Sequence, residues 1–435
     1  MKKNIFFFLS FVIIFSSLGM TFDRSLNAQS ITGPVTLQDF QITSRDSGWI
    51  ILGNNLYWTT TGGKSWENIS PALDQTLRSV EFLDDQTGFA ITSKINPNQT
   101  ISYLFFYTNN RGTTWESREI ISYPLTNPDA FSSSINISFV NSESGWVLFQ
   151  RLTSSNFNLG TLFRTSDGGD SWQTLPLPVA GELQFMDNLN GYLVGGIQNQ
   201  ALYRTADGGN TWSRFESPSN LISNATLPNF ITHELGEFVS LEKRNHGTVL
   251  KVFGTTDSGL NWLNKSEIVI SENEWLYAPV SSVPGEIKII TPDQVITYWQ
   301  TAEMLEVEDR TIKDNISKFD MADNNHGWAV SYQMNSVESG ETKSCTPSQN
   351  LLKTQNGGIS WSIIKTPIML TVFEPDQSAQ SITPNQVPGL SRTDWHTGQG
   401  FDQCEIFPLS DLQKWKTNSP YSVVNLYIGG NARAC

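Results

Sequence analysis

The octapeptide Thr165-Ser-Asp-Gly-Gly-Asp-Ser-Trp172 defines the repeat of this chain, which contains five further copies of it. The common pattern is Thr-x-[Asp/Asn]-x-Gly-x-x-Trp, and Thr61 is the one departure at the acidic place. The other copies are residues 59–66, 108–115, 205–212, 255–262 and 354–361. Self-similarity at a period of about 20–50 residues is the signature of solenoids, propellers and arrays.

The tryptophans of the last two copies, Trp262 and Trp361, are separated by about twice the usual number of residues, so a decayed seventh copy is expected near Tyr298-Trp299-Gln300-Thr301. A second marker, glycine followed by a large apolar residue, supports a count of seven units. Its clear forms are Gly48-Trp49, Gly88-Phe89, Gly145-Trp146, Gly191-Tyr192 and Gly327-Trp328, and its weaker forms are Gly236-Glu-Phe238 and Gly285-Glu-Ile287.

The units themselves are built of strands. Short runs such as Phe89–Thr92 and Leu104–Tyr107 are rich in β-branched and aromatic residues and are bounded by Gly, Asn and Asp. No segment between residues 31 and 370 shows a sustained helical period. A unit of about 45 residues with four short strands is the blade of a propeller. We therefore predict an all-β, seven-bladed β-propeller over residues 31–370.

The octapeptide has a mechanical interpretation. Its Asp or Asn accepts backbone N–H groups of its own turn, and its fifth residue, Gly, takes a positive φ. Its Trp fills the space between neighbouring blades and leaves the ring N–H free to find a carbonyl. The residues assigned to these structural turns are Asp167, Gly169, Trp172, Asp207, Gly209, Trp212, Asp257, Gly259, Trp262, Asn356, Gly358 and Trp361.

These octapeptides are identified as Asp-box (BNR) repeats. Together with an upstream Asp-x-x-x-Gly-Trp, as in Asp323-Asn-Asn-His-Gly-Trp328, they resemble the photosystem II stability and assembly factor propellers. Similar repeats occur in sialidases, xyloglucanases and sortilin-type receptors, so the resemblance indicates fold more than function. The chain has no Arg-Ile-Pro motif, which counts against sialidase activity.

The candidate ligand surface is a set of loops that recur at one strand connection. Each carries an Asp or Asn four residues before the marker glycine: Asp84, Asn141, Asp187 and Asp323. Because the connection is the same in each unit, these residues are expected to surround one face of the propeller and to form its binding site.

The N-terminus predicts export. Two lysines precede an apolar run from Ile5 to Met20, and Ala28 offers a cleavage site, which is the pattern of a signal peptide over residues 1–28. The alternative is an uncleaved membrane anchor. Both interpretations place the rest of the chain in the cell envelope or outside the cell.

The C-terminus predicts a second domain. Residues 371–400 are rich in Pro, Gln and Ser and indicate a linker, and residues 401–435 show a strand–helix–strand pattern. Gly400-Phe-Asp-x-Cys404, a Leu-Ser-x-Leu-x-x-Trp helix and Leu-Tyr-Ile-Gly-Gly430 resemble the opening of a glycoside-hydrolase-like TIM barrel. The resemblance implies a catalytic Asp402 at the end of the first barrel strand and a disulfide between Cys404 and Cys435. The 35 residues are too few to close a barrel, so we expect no hydrolase activity from the chain as given.

Composition limits the functions. Lys and Arg number 28 against 42 Asp and Glu, for a net charge of −14, so a nucleic-acid partner is not expected. With four His, three Cys and no metal-binding motif, neither a metal nor a cofactor is expected. The leading hypothesis is a monomeric binding or scaffold module for a glycan or an extracellular or envelope protein. The alternatives are a cell-wall or polysaccharide hydrolase acting through the C-terminal domain and a photosystem II assembly factor.

Overall fold

The structure is a computed structural model. It describes residues 35–127, 130–151, 159–196, 199–215, 224–244, 247–271, 279–311, 315–339, 342–368, 399–403 and 421–426. The predicted signal peptide, most of the predicted linker, and Cys404 and Cys435 lie outside these residues.

Seven four-stranded antiparallel sheets form the body of the chain. Blade 1 contains β1 (Leu37–Ile42), β2 (Gly48–Leu52), β3 (Asn55–Thr59) and β4 (Glu67–Asn68). Blade 2 contains β5 (Thr76–Phe82), β6 (Gly88–Asn96), β7 (Thr100–Thr108) and β8 (Glu116–Pro124). Blade 3 contains β9 (Ser134–Phe139), β10 (Gly145–Arg151), β11 (Leu159–Thr165) and β12 (Gln173–Leu175). Blade 4 contains β13 (Gly181–Phe185), β14 (Gly191–Gly195), β15 (Ala201–Thr205) and β16 (Ser213–Arg214).

The remaining three blades follow the same order. Blade 5 contains β17 (Asn229–Phe230), β18 (Gly236–Arg244), β19 (Gly247–Thr255) and β20 (Leu263–Ser271). Blade 6 contains β21 (Val280–Val283), β22 (Glu286–Ile290), β23 (Gln294–Trp299) and β24 (Met304–Asp309). Blade 7 contains β25 (Asn315–Met321), β26 (Gly327–Ser339), β27 (Thr342–Thr354) and β28 (Ser362–Ile363). The prediction of an all-β, seven-bladed propeller is confirmed, and the segment at Tyr298-Trp299 belongs to blade 6.

First strands of neighbouring blades, such as β5 and β9, contact one another, so the first strand of each blade lines the centre of the ring. In every sheet the strands follow chain order, and the chain therefore builds each blade as a meander. The marker glycine opens the second strand in blades 1 to 5 and 7, and in blade 6 it immediately precedes that strand.

The core is divided among the interfaces between blades. Seven buried clusters occur in the described residues, and each joins two adjacent blades. The cluster between blades 7 and 1 contains Trp328, Val330 and Leu351 from one side and Phe40 and Ile50 from the other. Side-chain packing therefore closes the ring, and within the described residues the first and last blades exchange no strand.

Hydrogen bonds reinforce this closure. The Gln349 side chain accepts from the Leu37 amide at 2.9 Å, and the Trp66 ring N–H donates to the Lys365 carbonyl at 2.9 Å. The Trp66 and Trp328 rings also meet across the same junction, 5.8 Å apart. Within the described residues, no helix is long and apolar enough to cross a bilayer.

The described residues that follow the propeller in the chain include two strands. β29 (Gln399–Gln403) and β30 (Tyr421–Leu426) pair in parallel, and Asp402 lies opposite Asn425. The helix predicted between these strands lies outside the described residues, so the strand–helix–strand unit remains a prediction.

Candidate functional site

Each octapeptide connects the third and fourth strands of its blade and forms a closed hydrogen-bonded turn. In the copy of blade 3, the Gly169 amide donates to Thr165 Oγ1 at 2.9 Å, and Thr165 Oγ1 donates to Asp167 Oδ1 at 2.8 Å. Asp167 also accepts the Ser171 amide at 2.9 Å. The Ser171 hydroxyl, the Ser171 amide and the Thr165 hydroxyl lower the pKa of Asp167 to about 2. Asp167 is therefore ionised at neutral pH and is engaged within its own turn.

The same two backbone contacts recur in all six copies. The backbone amide of the fifth residue donates to the hydroxyl of the first residue, Thr. The backbone amide of the seventh residue donates to the side-chain oxygen of the third residue. Thr61, the departure in sequence, uses its hydroxyl where the other copies use a carboxylate or an amide oxygen.

Backbone conformation explains the glycines at the fourth and fifth places. Gly168 and Gly169 have φ values of 69° and 88°, a region that only glycine enters without strain. A Cβ on Gly169 would also lie 2.6 Å from the Phe105 ring of blade 2. The fourth place is left-handed as well, although Arg111 and Ser258 occupy it in two copies.

The tryptophans connect adjacent blades. Trp115 donates its ring N–H to the Ile69 carbonyl at 2.8 Å, and Trp212 donates to the Pro176 carbonyl at 3.2 Å, each on the preceding blade. The Trp172 ring contacts Phe105 of blade 2 edge-on at 5.4 Å, and its N–H is buried without a partner among the described residues.

Trp172→Ala is expected to lower the denaturant midpoint more than Asp167→Ala. Trp172→Ala removes an aromatic ring that packs between blades 2 and 3, whereas Asp167 lies on an exposed turn that water can solvate. Urea titrations of both variants and the wild type measure this. Midpoints in the reverse order would contradict the packing role of the tryptophan.

The loops that carry the predicted binding residues join the first and second strands of their blades. Each Asp or Asn caps its own loop: Asp84 Oδ1 accepts the amides of Gln86 and Thr87, both at 2.7 Å. Burial alone would raise the pKa of Asp84, but these amides bring it below its ordinary value. Asn141, Asp187 and Asp323 accept two amides in the same manner. The predicted binding residues thus form turns at one strand connection in blades 2, 3, 4 and 7.

These loops and the octapeptides lie on the same face. In blade 3, the Gly168 amide donates to the Glu143 carbonyl at 2.8 Å, and the corresponding contact occurs in all six blades that have an octapeptide. The two sequence markers are therefore adjacent in space and are joined by one backbone hydrogen bond per blade.

Blade 6 replaces the octapeptide with the short turn Gln300–Glu303. On the preceding blade, the residue after the marker glycine is Glu237 instead of an aromatic residue. Glu237, Tyr298 and Gln300 are buried at this junction, where the Glu237 carboxyl lies beside the side chains of the other two. Lys265 of blade 5 crosses the junction to Glu303 at 2.7 Å, so polar contacts replace the missing octapeptide here.

The strongest candidate for a ligand site lies in the central channel. A cavity of about 490 Å³ is bounded by the first strands of blades 1, 2, 3, 6 and 7. Its polar lining residues are Asp39, Gln41, Ser79, Glu81, Asn136, Ser281, Ser282, Lys318 and Asp320. Its size falls within the range of small-molecule pockets, about 300–1,000 Å³.

Polar side chains also connect neighbouring first strands around this channel. Glu81 accepts the Phe139 amide at 2.9 Å, and Asp320 accepts the Ile42 amide at 3.1 Å. Ser138 and Ser281 accept the amides of Phe185 and Met321 in the next blades. We call these four residues and Gln41, which contacts the Phe82 amide at 3.4 Å, the channel ring.

Two members of the channel ring are carboxyl groups with raised pKa values. Burial raises the pKa of Glu81 to about 8, and the Phe139 amide offsets only part of this effect. Burial likewise raises the pKa of Asp320 to about 6, against the opposing effects of the Ile42 amide and Lys318. Lys318 also forms an ion pair with Asp39 of blade 1.

The channel ring was not predicted from the sequence, although a signal was present. Every member except Ser281, which precedes Ser282, lies between two apolar residues, as in Val80-Glu81-Phe82 and Phe319-Asp320-Met321. In blades 2, 3 and 7 it also precedes the loop Asp or Asn by three residues.

For the C-terminal candidates, the structure places only the backbone of Asp402, in β29. It describes no site around that residue, and the Cys404–Cys435 disulfide stays a prediction. Within the described residues, no cluster of three or more His, Cys, Asp or Glu could hold a metal.

No family model matches the chain, and no curated protein matches it in sequence. Among solved structures, YCF48 bound to D1 peptide is 18% identical, with 67% of this chain and 82% of that chain covered and a TM-score of 0.40. YCF48 from Cyanidioschyzon merolae is 16% identical, with 71% and 90% covered and a TM-score of 0.44. The GH74 xyloglucanase from Xanthomonas campestris is 12% identical, with 77% and 62% covered and a TM-score of 0.30.

Proposed function

We propose that the chain is an exported binding or scaffold module, whose propeller recognises a glycan or a protein of the cell surface. The observation that carries the proposal is the polar cavity in the central channel. It combines hydroxyl, amide and carboxyl groups from five blades in one concave site. Such a lining offers both donors and acceptors, which suits the hydroxyl groups of a sugar residue.

The loops of Asp84, Asn141, Asp187 and Asp323 have a supporting role in this proposal. They follow the first strands and therefore surround one mouth of the channel. Because their Asp and Asn side chains hold the loop backbones, we propose that these residues present a preshaped rim to the partner and that neighbouring exposed groups contact it.

A blocking substitution tests the site. Ser282→Trp places a large ring in the cavity, and we expect it to weaken glycan binding by about tenfold or more, since filling a pocket removes its contacts with the ligand. Ser213→Trp, on the exposed outer strand β16, is the matched control and should leave binding unchanged. Glycan arrays and pull-downs with cell-envelope extracts provide the readout. Equal binding by both variants would refute the channel as the ligand site.

A further inference from the structure

The outermost strands of the blades differ in length. Those of blades 1, 3, 4 and 7 contain only two or three residues, whereas β8, β20 and β24 contain nine, nine and six. Each of the three long strands is hydrogen-bonded to a neighbour on one side only in the described part of the chain. A long edge strand offers unpaired N–H and C=O groups to another chain.

Two of these three edges carry features that discourage pairing. β8 ends in Pro124, and its Arg118 is held by Asp170 of the next blade. β20 has two register shifts against β19, and its Lys265 is committed to Glu303. Proline, bulges and lysines are the usual protections of an edge strand.

β24 has no proline, no bulge and no lysine, and the charges that discourage it from pairing with a like strand are all acidic. Its six residues pair with β23 without a register shift, and it contains neither Pro nor a basic residue. Met304 and Val307 are exposed by 53% and 40%. This regular edge belongs to blade 6, the blade that lacks the octapeptide.

Negative charge is the remaining feature of this edge. Glu306, Glu308 and Asp309 are exposed, and none of them forms an ion pair within the described residues. Glu306 accepts the Trp299 ring N–H at 2.8 Å, and Asp309 accepts from Gln294 at 3.3 Å. Because side chains alternate along a strand, Glu306 and Glu308 lie on the same face.

We propose that β24 is a docking edge for an extended, basic segment of a partner protein, which adds a fifth strand to blade 6. Backbone hydrogen bonds supply the pairing, and basic residues at alternate positions of the partner lie opposite Glu306 and Glu308. A second copy of this chain is disfavoured as the occupant, because its β24 would oppose like charges.

The test uses the full chain and a soluble peptide in which lysine alternates with threonine. Fluorescence anisotropy should detect binding, and hydrogen exchange should slow at residues 304–309. The double variant Glu306→Lys/Glu308→Lys should bind the peptide about tenfold more weakly or worse, because two cross-strand charge pairs become repulsive. Glu116→Lys/Glu119→Lys on β8 makes the same change of charge on another edge and should alter binding less than about twofold.

A peptide of the same sequence with alternate backbone nitrogens methylated separates strand addition from simple charge attraction. We expect it not to bind, since it cannot donate to the edge. The proposal would be overturned if the methylated peptide bound as tightly as the parent peptide, or if the parent peptide did not bind at all. An equal loss of binding in the β24 and β8 double variants would also overturn it. Circular dichroism of each variant confirms that the propeller is folded.

Discussion

Trp146→Ala is expected to lower the free energy of unfolding by about 3–5 kcal/mol, the typical cost of emptying a fully buried aromatic site. Trp146 is completely buried between blades 3 and 4 and stacks on Phe185 with 3.5 Å between ring centroids. Its ring N–H donates to the Gly208 carbonyl in the octapeptide of blade 4 at 3.0 Å. The substitution therefore removes packing and leaves a buried carbonyl without its donor. Denaturant unfolding followed by tryptophan fluorescence and circular dichroism measures the loss.

Two further variants separate the contributions. Trp146→Phe keeps an aromatic ring against Phe185 and should recover more than half of the loss, although it cannot donate to Gly208. Leu189→Ala changes an exposed side chain of the neighbouring loop and should have little effect. A loss below about 1 kcal/mol for Trp146→Ala, within the range of surface substitutions, would show that blades 3 and 4 do not depend on this contact.

Glu81→Gln is expected to stabilise the propeller at alkaline pH and to have little effect near pH 5. The pKa of Glu81 is raised from 4.5 to about 8 in the folded chain, so the folded state holds this proton more tightly than the unfolded state does. The proton on Glu81 therefore contributes fully to the free energy of unfolding of the wild type below about pH 4.5. This contribution falls as the pH rises and is lost above about pH 8. Glutamine carries no charge and avoids this loss, while its side-chain oxygen can still accept the Phe139 amide.

At pH 9 we expect Glu81→Gln to raise the free energy of unfolding by about 2 kcal/mol. This is less than half of what the full difference in pKa would give, because Glu81 borders a channel that admits water. Unfolding free energies of the wild type and the variant at pH 5 and pH 9 give the comparison. Glu119→Gln, at an exposed position of β8, is the control. A difference that is the same at both pH values would contradict the assignment of a buried, protonated Glu81.

The propeller and its blade count could be predicted from local sequence. Thr165, Asp167, Gly169 and Trp172 interact within one turn or with an adjacent blade, and their spacing therefore recurs with each blade. The glycine marker is informative for the same reason, since Gly145 and its equivalents begin a strand at the same place in each unit. The doubled spacing before Trp361 located blade 6, because the 99 residues between Trp262 and Trp361 are enough for two units.

Roles that depend on contacts between blades could not be predicted in this way. Glu237 and Glu286 appeared in the sequence only as weak forms of the glycine marker. In the structure both are buried at the junctions that flank blade 6, where Glu237 lies beside Tyr298 and Gln300 and Glu286 lies 3.1 Å from Lys288. The contacts of Glu237 could not be predicted from a single unit, because Tyr298 and Gln300 belong to the next unit. Glu286 and Lys288 are two residues apart on β22, and for them only the burial at the junction depends on the fold.

The sequence alone therefore determined the repeating unit, the number of units and the turn chemistry, because each of these arises from hydrogen bonds and backbone angles among residues close in the chain. The folded ring was needed to show which polar side chains share the central channel, which carboxyl groups hold their protons, and which outer strand is left as a regular edge. Burial and proximity across the ring set these properties: Glu81 and Asp320 are separated by more than two hundred residues in the chain, yet both line one cavity.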